Sequence, residues 1–388
     1  MRMNTGLFID ILKIDSTSGK EAGLSSFLSE RLLVDGCKLE KFPVGDGTEN
    51  LLFSWGDPQV VFCTHMDTVP PYIEPSVEAD SSSSKDNKEV SATKVVGGFD
   101  FKFSGRGTCD AKGQIFAMYS ACLELQRQGK TGFGLLLLSG EETGSFGAKS
   151  FREVYPGGKY VIVGEPTDNC MASACKGTKS FKVTFEGKSC HSGYPKDGQS
   201  AIMLFNDFVN VLRGIGFPED EILGDTTWNI GKLSSDNPQN VLSDKLTCRV
   251  YFRTTFASDN LVSNLMRNIC GENAVLKFGK APCDGLTFQA GRIPVVAEWQ
   301  KKMSVEAYGG DSPMKYLTLE GFETKPVSFG SDAPQLSNFE NKILCGPGSI
   351  LVAHRPEEHI YMSDLQKATD NYIRMFDILS ARLEEDRR

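Results

Sequence analysis

The alternation of apolar and polar positions predicts two kinds of architecture along the chain. Between about residues 4 and 175, short and nearly continuous apolar runs alternate with stretches of helical periodicity. Such runs are typical of strands buried on both faces, so the alternation predicts an α/β fold with a mainly parallel sheet. The predicted strands are 60–64, 135–138 and 160–163, and the predicted helices are 4–34 with a break at 16–19, 112–128 and 146–154.

The pattern changes after about Cys175. Strands and helices then follow in the order β-α-β-β-α-β, which is typical of a ferredoxin-like α+β unit. We therefore predict a domain at 176–287 inserted into a discontinuous domain formed by 1–175 and 288–388. The strands of the inserted domain are predicted at 181–185, 227–233, 246–254 and 274–278, and its helices at 200–212 and 259–269. The α/β pattern resumes with a helix at 293–308, a strand at 342–345 and a closing helix at 363–383.

Composition and charge exclude several classes of protein. The 388 residues include 50 acidic and 42 basic side chains, with a net charge of −8 and no basic run that suits a nucleic acid. No apolar stretch approaches the ~20 residues that span a bilayer, and the first residues lack the pattern of a secretory signal. The 11 cysteines are scattered without a CxxC pair, which favours free thiols. We therefore expect a soluble cytoplasmic protein that binds neither nucleic acid nor membrane.

Acidic and histidine side chains directly follow three of the predicted strands. His65 and Asp67 follow the first strand, Glu141 and Glu142 the second, and Glu165 the third. Ligands of open α/β sheets bind beyond the carboxyl ends of the strands, so we expect these residues to converge. Asp110 lies in a Gly-rich stretch at the start of the predicted helix 112–128, where it could also be an N-cap. Each motif alone has an ordinary structural explanation, but their shared placement favours a single site.

Histidine and carboxylate ligands gathered in this way suit hydrolysis assisted by two divalent metal ions. Zinc is favoured, and cobalt or manganese could replace it. Such a site needs a bridging carboxylate and terminal ligands on each ion. One arrangement places Asp110 between the ions, His65 and Glu165 on one ion, and Glu142 and His354 on the other. Asp67 can then orient the imidazole of His65, and Glu141 remains free to act as a general base.

These motifs resemble those of the M20 family of metallopeptidases and amidohydrolases, in the branch of acetylornithine deacetylase and succinyl-diaminopimelate desuccinylase. The resemblance covers nearly the whole chain. Its carriers are THMDTVP at 64–70, SGRGTCDAKG at 104–113, SGEETGSFGAK at 139–149, GEPTD at 164–168, KGTKSFKVTFEGKSCHSGYP at 176–195, NPQNVLSDKLTCRVYFR at 237–253, FGSDAPQL at 329–336 and GPGSILVAHRPEEHI at 346–360. The resemblance implies the five metal ligands named above and the same roles for Asp67 and Glu141. It also implies a cis peptide bond between Asp110 and Ala111.

The resemblance further implies what the inserted domain contributes. This domain is similar to the family's lid, which commonly mediates dimerisation, so we expect a homodimer. His191 matches a lid histidine that stabilises the tetrahedral intermediate in a partner's active site, although an ordinary loop histidine would also fit. Asn240 and Arg253 match a region that contacts a substrate carboxylate, and Arg253 could instead pair with an acid on a neighbouring strand. His359 is expected to lie at the surface or behind the ligands.

We therefore expect a zinc-dependent hydrolase that cleaves the amide bond of a small N-acyl amino acid. In this mechanism a metal-bridging water attacks the carbonyl, with Glu141 as general base. Resemblance alone favours an acetylornithine-like substrate. A dipeptidase or aminoacyl peptidase is the alternative on the same scaffold, because only the pocket would differ. A non-catalytic binding or dimerisation protein is the alternative of another class, and the complete ligand set argues against it.

Overall fold

The computed structural model describes residues 3–45, 47–80, 100–270, 287–288 and 298–386. The chain divides into two compact units. Unit 1 comprises Met1–Ser173, Tyr316–Lys325 and Ser331–Arg388, and unit 2 comprises Ala174–Lys315 and Pro326–Gly330. The predicted insertion at 176–287 differs from unit 2 chiefly at its second boundary, because unit 2 continues to Lys315.

The helices and strands of the described residues are as follows. The helices are α1 Thr5–Leu12, α2 Glu21–Arg31, α3 Lys112–Arg127, α4 Phe146–Val154, α5 Ala201–Gly214, α6 Asp259–Asn268, α7 Glu298–Lys301 and α8 Met362–Asp386. The strands are β1 Lys38–Gly45, β2 Thr48–Trp55, β3 Val60–His65, β4 Ser76–Asp80, β5 Asp100–Ser104, β6 Phe133–Leu138, β7 Tyr160–Val163, β8 Met171–Cys175, β9 Gly177–Glu186, β10 Ile215–Gly216, β11 Thr227–Ser234, β12 Lys245–Thr254, β13 Thr287–Phe288, β14 Met303–Ala307, β15 Met314–Lys315, β16 Thr324–Val327, β17 Asn341–Leu344 and β18 His359–Tyr361. None of these helices is long and apolar enough to cross a membrane.

The central sheet of unit 1 has the strand order β1-β2-β6-β3-β7-β17. Strand β3 is parallel to β6 and β7, and β17 is parallel to β7. Every residue of β3, β6 and β7 is buried, which is why these strands appear in the sequence as continuous apolar runs. The mainly parallel sheet predicted from the sequence is therefore confirmed.

A hairpin at the edge of this sheet is not part of the sequence-based prediction. Strands β1 and β2 pair antiparallel, and β2 continues the sheet by pairing with β6. Along β1, exposed positions alternate with partly buried ones, and the exposed positions include Lys38. An edge strand of this kind needs no apolar run, so its pattern is too weak to be recognised.

Helix α3 and the C-terminal helix α8 pack on each other and on the central sheet. The rings of Phe8 and Phe116 stack with centroids 5.0 Å apart in the core beside α3. The buried hydroxyl of Tyr372 on α8 donates a hydrogen bond of 3.0 Å to the main-chain oxygen of Cys345. The predicted helices 112–128 and 146–154 and the predicted break between α1 and α2 are confirmed. The packing fixes the N-terminal end of α3, which begins directly after Asp110 and Ala111.

Unit 2 contains an antiparallel four-stranded sheet in the order β11-β12-β9-β14. Helices α5 and α6 bury apolar side chains against it, including Phe208 and Leu265. The chain order is strand, helix, two strands, helix and strand, as predicted for a ferredoxin-like unit. Its last strand is Met303–Ala307. The predicted strand 274–278 lies outside the described residues.

The predicted helix 293–308 is wrong over its described part. Only Glu298–Lys301 is helical there, and Met303–Ala307 pairs with β9 instead. In this segment Met303 is buried, while Ser304 and Glu306 are exposed. An alternation with period two fits a half-buried edge strand, and pairing with β9 decides between two weak local patterns.

Candidate active site

Parallel strands of the central sheet bring the predicted ligands to one edge. His65 is the last residue of β3, Ser139-Gly140-Glu141-Glu142 follows β6, and Glu165 comes two residues after the end of β7. Asp110 approaches the same edge from the loop that precedes α3. His354 arrives on the segment between β17 and β18, with a positive φ of 64°.

The ligand atoms of these residues form two groups that share one carboxylate. His65, Asp110 and Glu165 have ligand atoms within 4.8 Å of one another, and so do Asp110, Glu142 and His354. The Nε2 atom of His65 lies 3.0 Å from Asp110 Oδ1, and Nε2 of His354 lies 3.1 Å from Asp110 Oδ2. Asp110 therefore presents one oxygen to each histidine, as a bridging ligand would.

The ring nitrogens are placed as those of metal ligands would be. Nδ1 of His65 lies 2.9 Å from the main-chain oxygen of Asp67, and since that atom only accepts, Nδ1 carries a proton. In a neutral ring, the lone pair of Nε2 would then face the carboxylate of Asp110. Nε2 of His354 lies 3.0 Å from Glu142 Oε1 and also close to Asp110. Two imidazoles and three carboxylates in this arrangement fit a pair of divalent metal ions.

The electrostatics of the group agree with this requirement. Burial disfavours a charged ring at His65, but its hydrogen bonds with Asp110 and Asp67 raise the pKa of His65 well above the ordinary value. Hydrogen bonds with Asp110 and Glu142 raise the pKa of His354 to about 10. Burial, reinforced by neighbouring carboxylates, raises the pKa of Glu165 well above its ordinary value. The negative charge of the three carboxylates in this cluster therefore exceeds the positive charge that its two histidines can supply.

Asp67 is fully buried and organises the loop after β6. Its Oδ1 accepts a hydrogen bond of 3.0 Å from the main-chain N–H of Glu141, and its Oδ2 accepts one of 3.1 Å from that of Glu142. The hydroxyl of Ser18 donates a third, also of 3.1 Å, to Oδ2. Asp67 Oδ1 also lies 3.5 Å from Nδ1 of His65. One carboxylate therefore fixes both a ligand histidine and the loop that carries the predicted general base.

The carboxylate of Glu141 differs from those around it. Its ligand oxygen lies within 4.8 Å of those of His65 and Glu142, yet no hydrogen bond to this carboxylate occurs in the described part of the chain. Burial raises the pKa of Glu141 well above its ordinary value, and Asp332 and Glu142 add to the rise. Such a group is positioned to exchange a proton with a bound substrate.

The structure also contains site residues that the sequence did not single out. Glu358 is fully buried and contacts the loop before Asp110, and Arg106 forms an ion pair of 2.5 Å with it. Asp332 lies in the quoted motif at 329–336. Burial raises its pKa to about 7, and its Oδ1 has no hydrogen-bond partner within the described ranges. His359 belongs to none of the described metal-ligand groups. The peptide bond between Asp110 and Ala111 is cis, as the resemblance implied.

The remaining predicted residues, His191, Asn240 and Arg253, belong to unit 2. His191 and Asn240 are exposed and close together, because His191 forms a β-bridge with Val241 and Ser192 N donates to Asn240 O at 2.9 Å. The main-chain N–H of Gly193 donates to Nδ1 of His191 at 3.1 Å. A neutral His191 ring therefore carries its proton on Nε2, where it can be donated.

Arg253 is partly buried on β12. Its guanidinium lies 5.1 Å from the ring centre of Tyr251. No acidic side chain pairs with Arg253 among the described residues. The predicted alternative, a salt bridge between strands, is therefore not seen in this part of the chain.

The sequence and the fold are similar to those of known peptidases. Residues 61–377 match the model of peptidase family M20/M25/M40. A probable carboxypeptidase of Emericella nidulans is 31% identical, over 94% of this chain and 86% of its own. The solved structure of a tripeptidase from Staphylococcus aureus has a TM-score of 0.71 at 18% identity, covering 95% of this chain and 96% of that one. A dinuclear metal-binding M20 peptidase from Bacillus subtilis has a TM-score of 0.61 at 13% identity, covering 95% of each chain. These structures share the fold.

Proposed function

Because the chain belongs to peptidase family M20/M25/M40, as its motifs predicted, we propose that it removes the C-terminal residue from short peptides. Hydrolysis of a peptide C–N bond by a metallopeptidase follows from family membership. The observation that carries the proposal is the position of Glu141, whose carboxylate makes no hydrogen bond with any described residue yet lies beside two ligand groups that share Asp110.

The proposed site holds two zinc ions, with cobalt or manganese as substitutes. His65 and Glu165 would bind one ion, Glu142 and His354 the other, and Asp110 both. When bound, such ions polarise the scissile carbonyl and lower the pKa of the attacking water. Three carboxylates among the five ligands offset most of their charge.

The side chains of the protein then transfer protons and hold them at defined atoms. Glu141 accepts a proton from the attacking water and returns it to the amine that leaves, because none of the described residues occupies its carboxylate by a hydrogen bond. Asp67 keeps Glu141 in place through the main-chain hydrogen bond of 3.0 Å. His191 donates its Nε2 proton to the oxyanion, a role that the hydrogen bond from Gly193 to Nδ1 favours.

We assign the recognition of the substrate's free carboxylate to Arg253 and Asn240. A partly buried guanidinium without an acidic partner among the described residues suits a bidentate contact with a carboxylate. A C-terminal peptide and an N-acyl amino acid both present this group. The name of the Emericella relative favours peptides. An acetylornithine-like substrate, expected from the motifs alone, is the narrower possibility on the same site.

We further propose a cytoplasmic homodimer that associates through unit 2. Strand β11 is at the edge of its sheet and carries Leu233, which is 55% exposed, while Met203 on α5 is 59% exposed. A groove between α5 and β11 is lined by Phe205, Val209, Trp228 and Ile230. An open edge beside apolar side chains favours association. No disulfide joins the ten cysteines of the described residues, which suits a reducing compartment. Light scattering should give twice the chain mass, and Leu233→Lys should give the monomer.

The activity is tested with zinc- and cobalt-loaded protein and a matched set of substrates. The set contains di- and tripeptides with a free C-terminus, the same peptides as C-terminal amides, and N-acetyl and N-succinyl amino acids. Mass spectrometry identifies the released residue. We expect release of the C-terminal residue from free peptides and little turnover of the amides. Equal turnover of the amides would overturn the carboxypeptidase assignment, and turnover of acyl amino acids alone would favour the deacylase.

A further inference from the structure

Glu358 links two segments that carry metal ligands. It lies four residues after His354, at the end of the segment that leads into β18, and its side chain is fully buried. Its carboxylate faces the loop 105–110, which is almost 250 residues away in sequence. This long-range contact involves none of the side-chain atoms that are proposed to bind metal.

Within the described residues, each hydrogen bond to this carboxylate comes from a donor of the loop 105–110. Oε1 accepts main-chain hydrogen bonds from Gly107 at 2.9 Å, from Cys109 at 3.1 Å and from Asp110 at 3.2 Å. Oε2 accepts a hydrogen bond of 2.5 Å from the guanidinium of Arg106. The main-chain oxygen of Glu358 accepts a further one of 3.0 Å from Gly105 N. The loop is therefore wrapped around a single negative charge.

The cost of burying a carboxylate shows what this arrangement achieves. An ionised carboxylate is costly to bury unless its oxygens are hydrogen-bonded and its charge is paired. Here the compensation comes from main-chain N–H groups of the loop, so the loop can keep these contacts only in one conformation. The main chain of Asp110 is thereby fixed, and the direction of its side chain with it.

We propose that Glu358 is a positioning residue that sets the affinity of both metal ions by fixing Asp110. The proposal rests on the assignment of Asp110 as the shared ligand under the proposed function. Loss of a residue that positions the ligands of only one ion would weaken one binding step. Because Glu358 acts on the shared carboxylate, its loss weakens both steps together.

The test replaces the carboxylate by an amide of the same shape. In Glu358→Gln, an NH₂ group faces either an N–H donor or Arg106, and the buried guanidinium loses its counter-charge. Titration of apo-protein with Zn²⁺ or Co²⁺ should show both binding steps weakened by about 10- to 100-fold, the range for residues that orient metal ligands. The visible absorption of bound Co²⁺ should change, because the geometry at Asp110 relaxes.

A matched control separates this role from general stabilisation. Asp220 in unit 2 also accepts three main-chain hydrogen bonds, from Ile222 at 3.0 Å, Leu223 at 2.9 Å and Ala257 at 3.0 Å. Asp220→Asn therefore removes a comparable anchor from a loop without metal ligands. It should lower the melting temperature but leave both metal affinities and the Co²⁺ spectrum unchanged. Equal weakening of metal binding in both variants would show that Glu358 is only structural.

Two further variants cover the remaining outcomes. If Glu358→Gln does not fold, Glu358→Asp serves instead, because it keeps the charge but has a shorter side chain. It should lower the affinity for both metal ions. Arg106→Lys keeps the charge beside Glu358 and its three main-chain contacts, so it should weaken metal binding less than Glu358→Gln does. Unchanged affinities in a folded Glu358 variant overturn the inference. Failure of the unmodified protein to bind two ions would instead overturn the proposed function.

Discussion

The residues with proposed catalytic or binding roles lie in two regions that differ in burial and in side-chain contacts. In unit 1, His65, Asp110 and Glu165 are 1%, 5% and 4% exposed, and hydrogen-bond distances of 2.9 and 3.0 Å join the ring of His65 to Asp67 and Asp110. In unit 2, His191 and Asn240 are exposed, and Arg253 has few partners. The ligands of a metal ion have to converge on one point, so a precise site needs side chains that the surrounding fold holds in place. Residues that meet a substrate can stay solvated until it binds. The predictions below test this contrast.

The largest effect is expected from the shared ligand. Asp110→Asn should abolish binding of at least one ion and reduce turnover to background, because an amide is a poor bridge between two cations. Metal analysis of purified protein and peptide assays would measure both. His359→Ala is the matched control, since this histidine belongs to none of the described ligand groups and should keep metal and activity. A fully active Asp110→Asn would remove the two-metal assignment.

Loss of the general base should separate turnover from metal binding. Glu141→Gln should lower kcat by about 10²- to 10⁴-fold, the usual contribution of a positioned acid or base. Metal content should stay the same, since Glu141 is not among the five proposed ligands. The measurement is steady-state kinetics together with metal analysis of the same sample. Loss of metal along with activity would indicate that Glu141 is a ligand.

The exposed histidine should affect the transition state alone. His191→Ala should lower kcat by about 10²- to 10³-fold, as removal of one oxyanion donor does, with metal affinity unchanged. Mixing His191→Ala with Glu141→Gln asks where it acts. If His191 works in the partner's site, hybrid dimers regain activity that neither variant has. Without any recovery, it works in its own subunit or has another role.

Arg253 should give the smallest effect, mainly on substrate binding. Arg253→Ala should lower kcat/KM by about 10- to 100-fold for peptides with a free C-terminus, matching a lost hydrogen bond to a charged group. The kcat/KM of those C-terminal amides that react at all should be unchanged. Arg249 lies on the same face of β12 and stacks on Tyr308 at 3.3 Å, so Arg249→Ala is the matched control and should leave kcat/KM unchanged. A similar loss with amides would contradict recognition of the carboxylate.

The same contrast explains what the sequence could predict. Buried parallel strands appear as continuous apolar runs, so the residues that follow them, such as His65 and Glu165, could be placed at one edge. The sequence of strand β14 predicts a helix, because its five residues form a strand only by pairing with β9. Strand β1 is hardly buried and leaves a weak pattern. Glu358 has no local signal at all, because its function depends on a loop that is distant in sequence.

The discontinuity of unit 1 has a consequence for the order in which the protein is made. Strand β17 completes the central sheet beside β7, and helix α8 packs on α3, but both are synthesised after the whole of Ala174–Lys315. On the ribosome, the sheet of unit 2 can therefore form while the first half of unit 1 still lacks its last strand. Domains generally fold as units during synthesis. His354 is also synthesised after Ala174–Lys315, so the second group of ligands is completed only after this part of unit 2 has emerged.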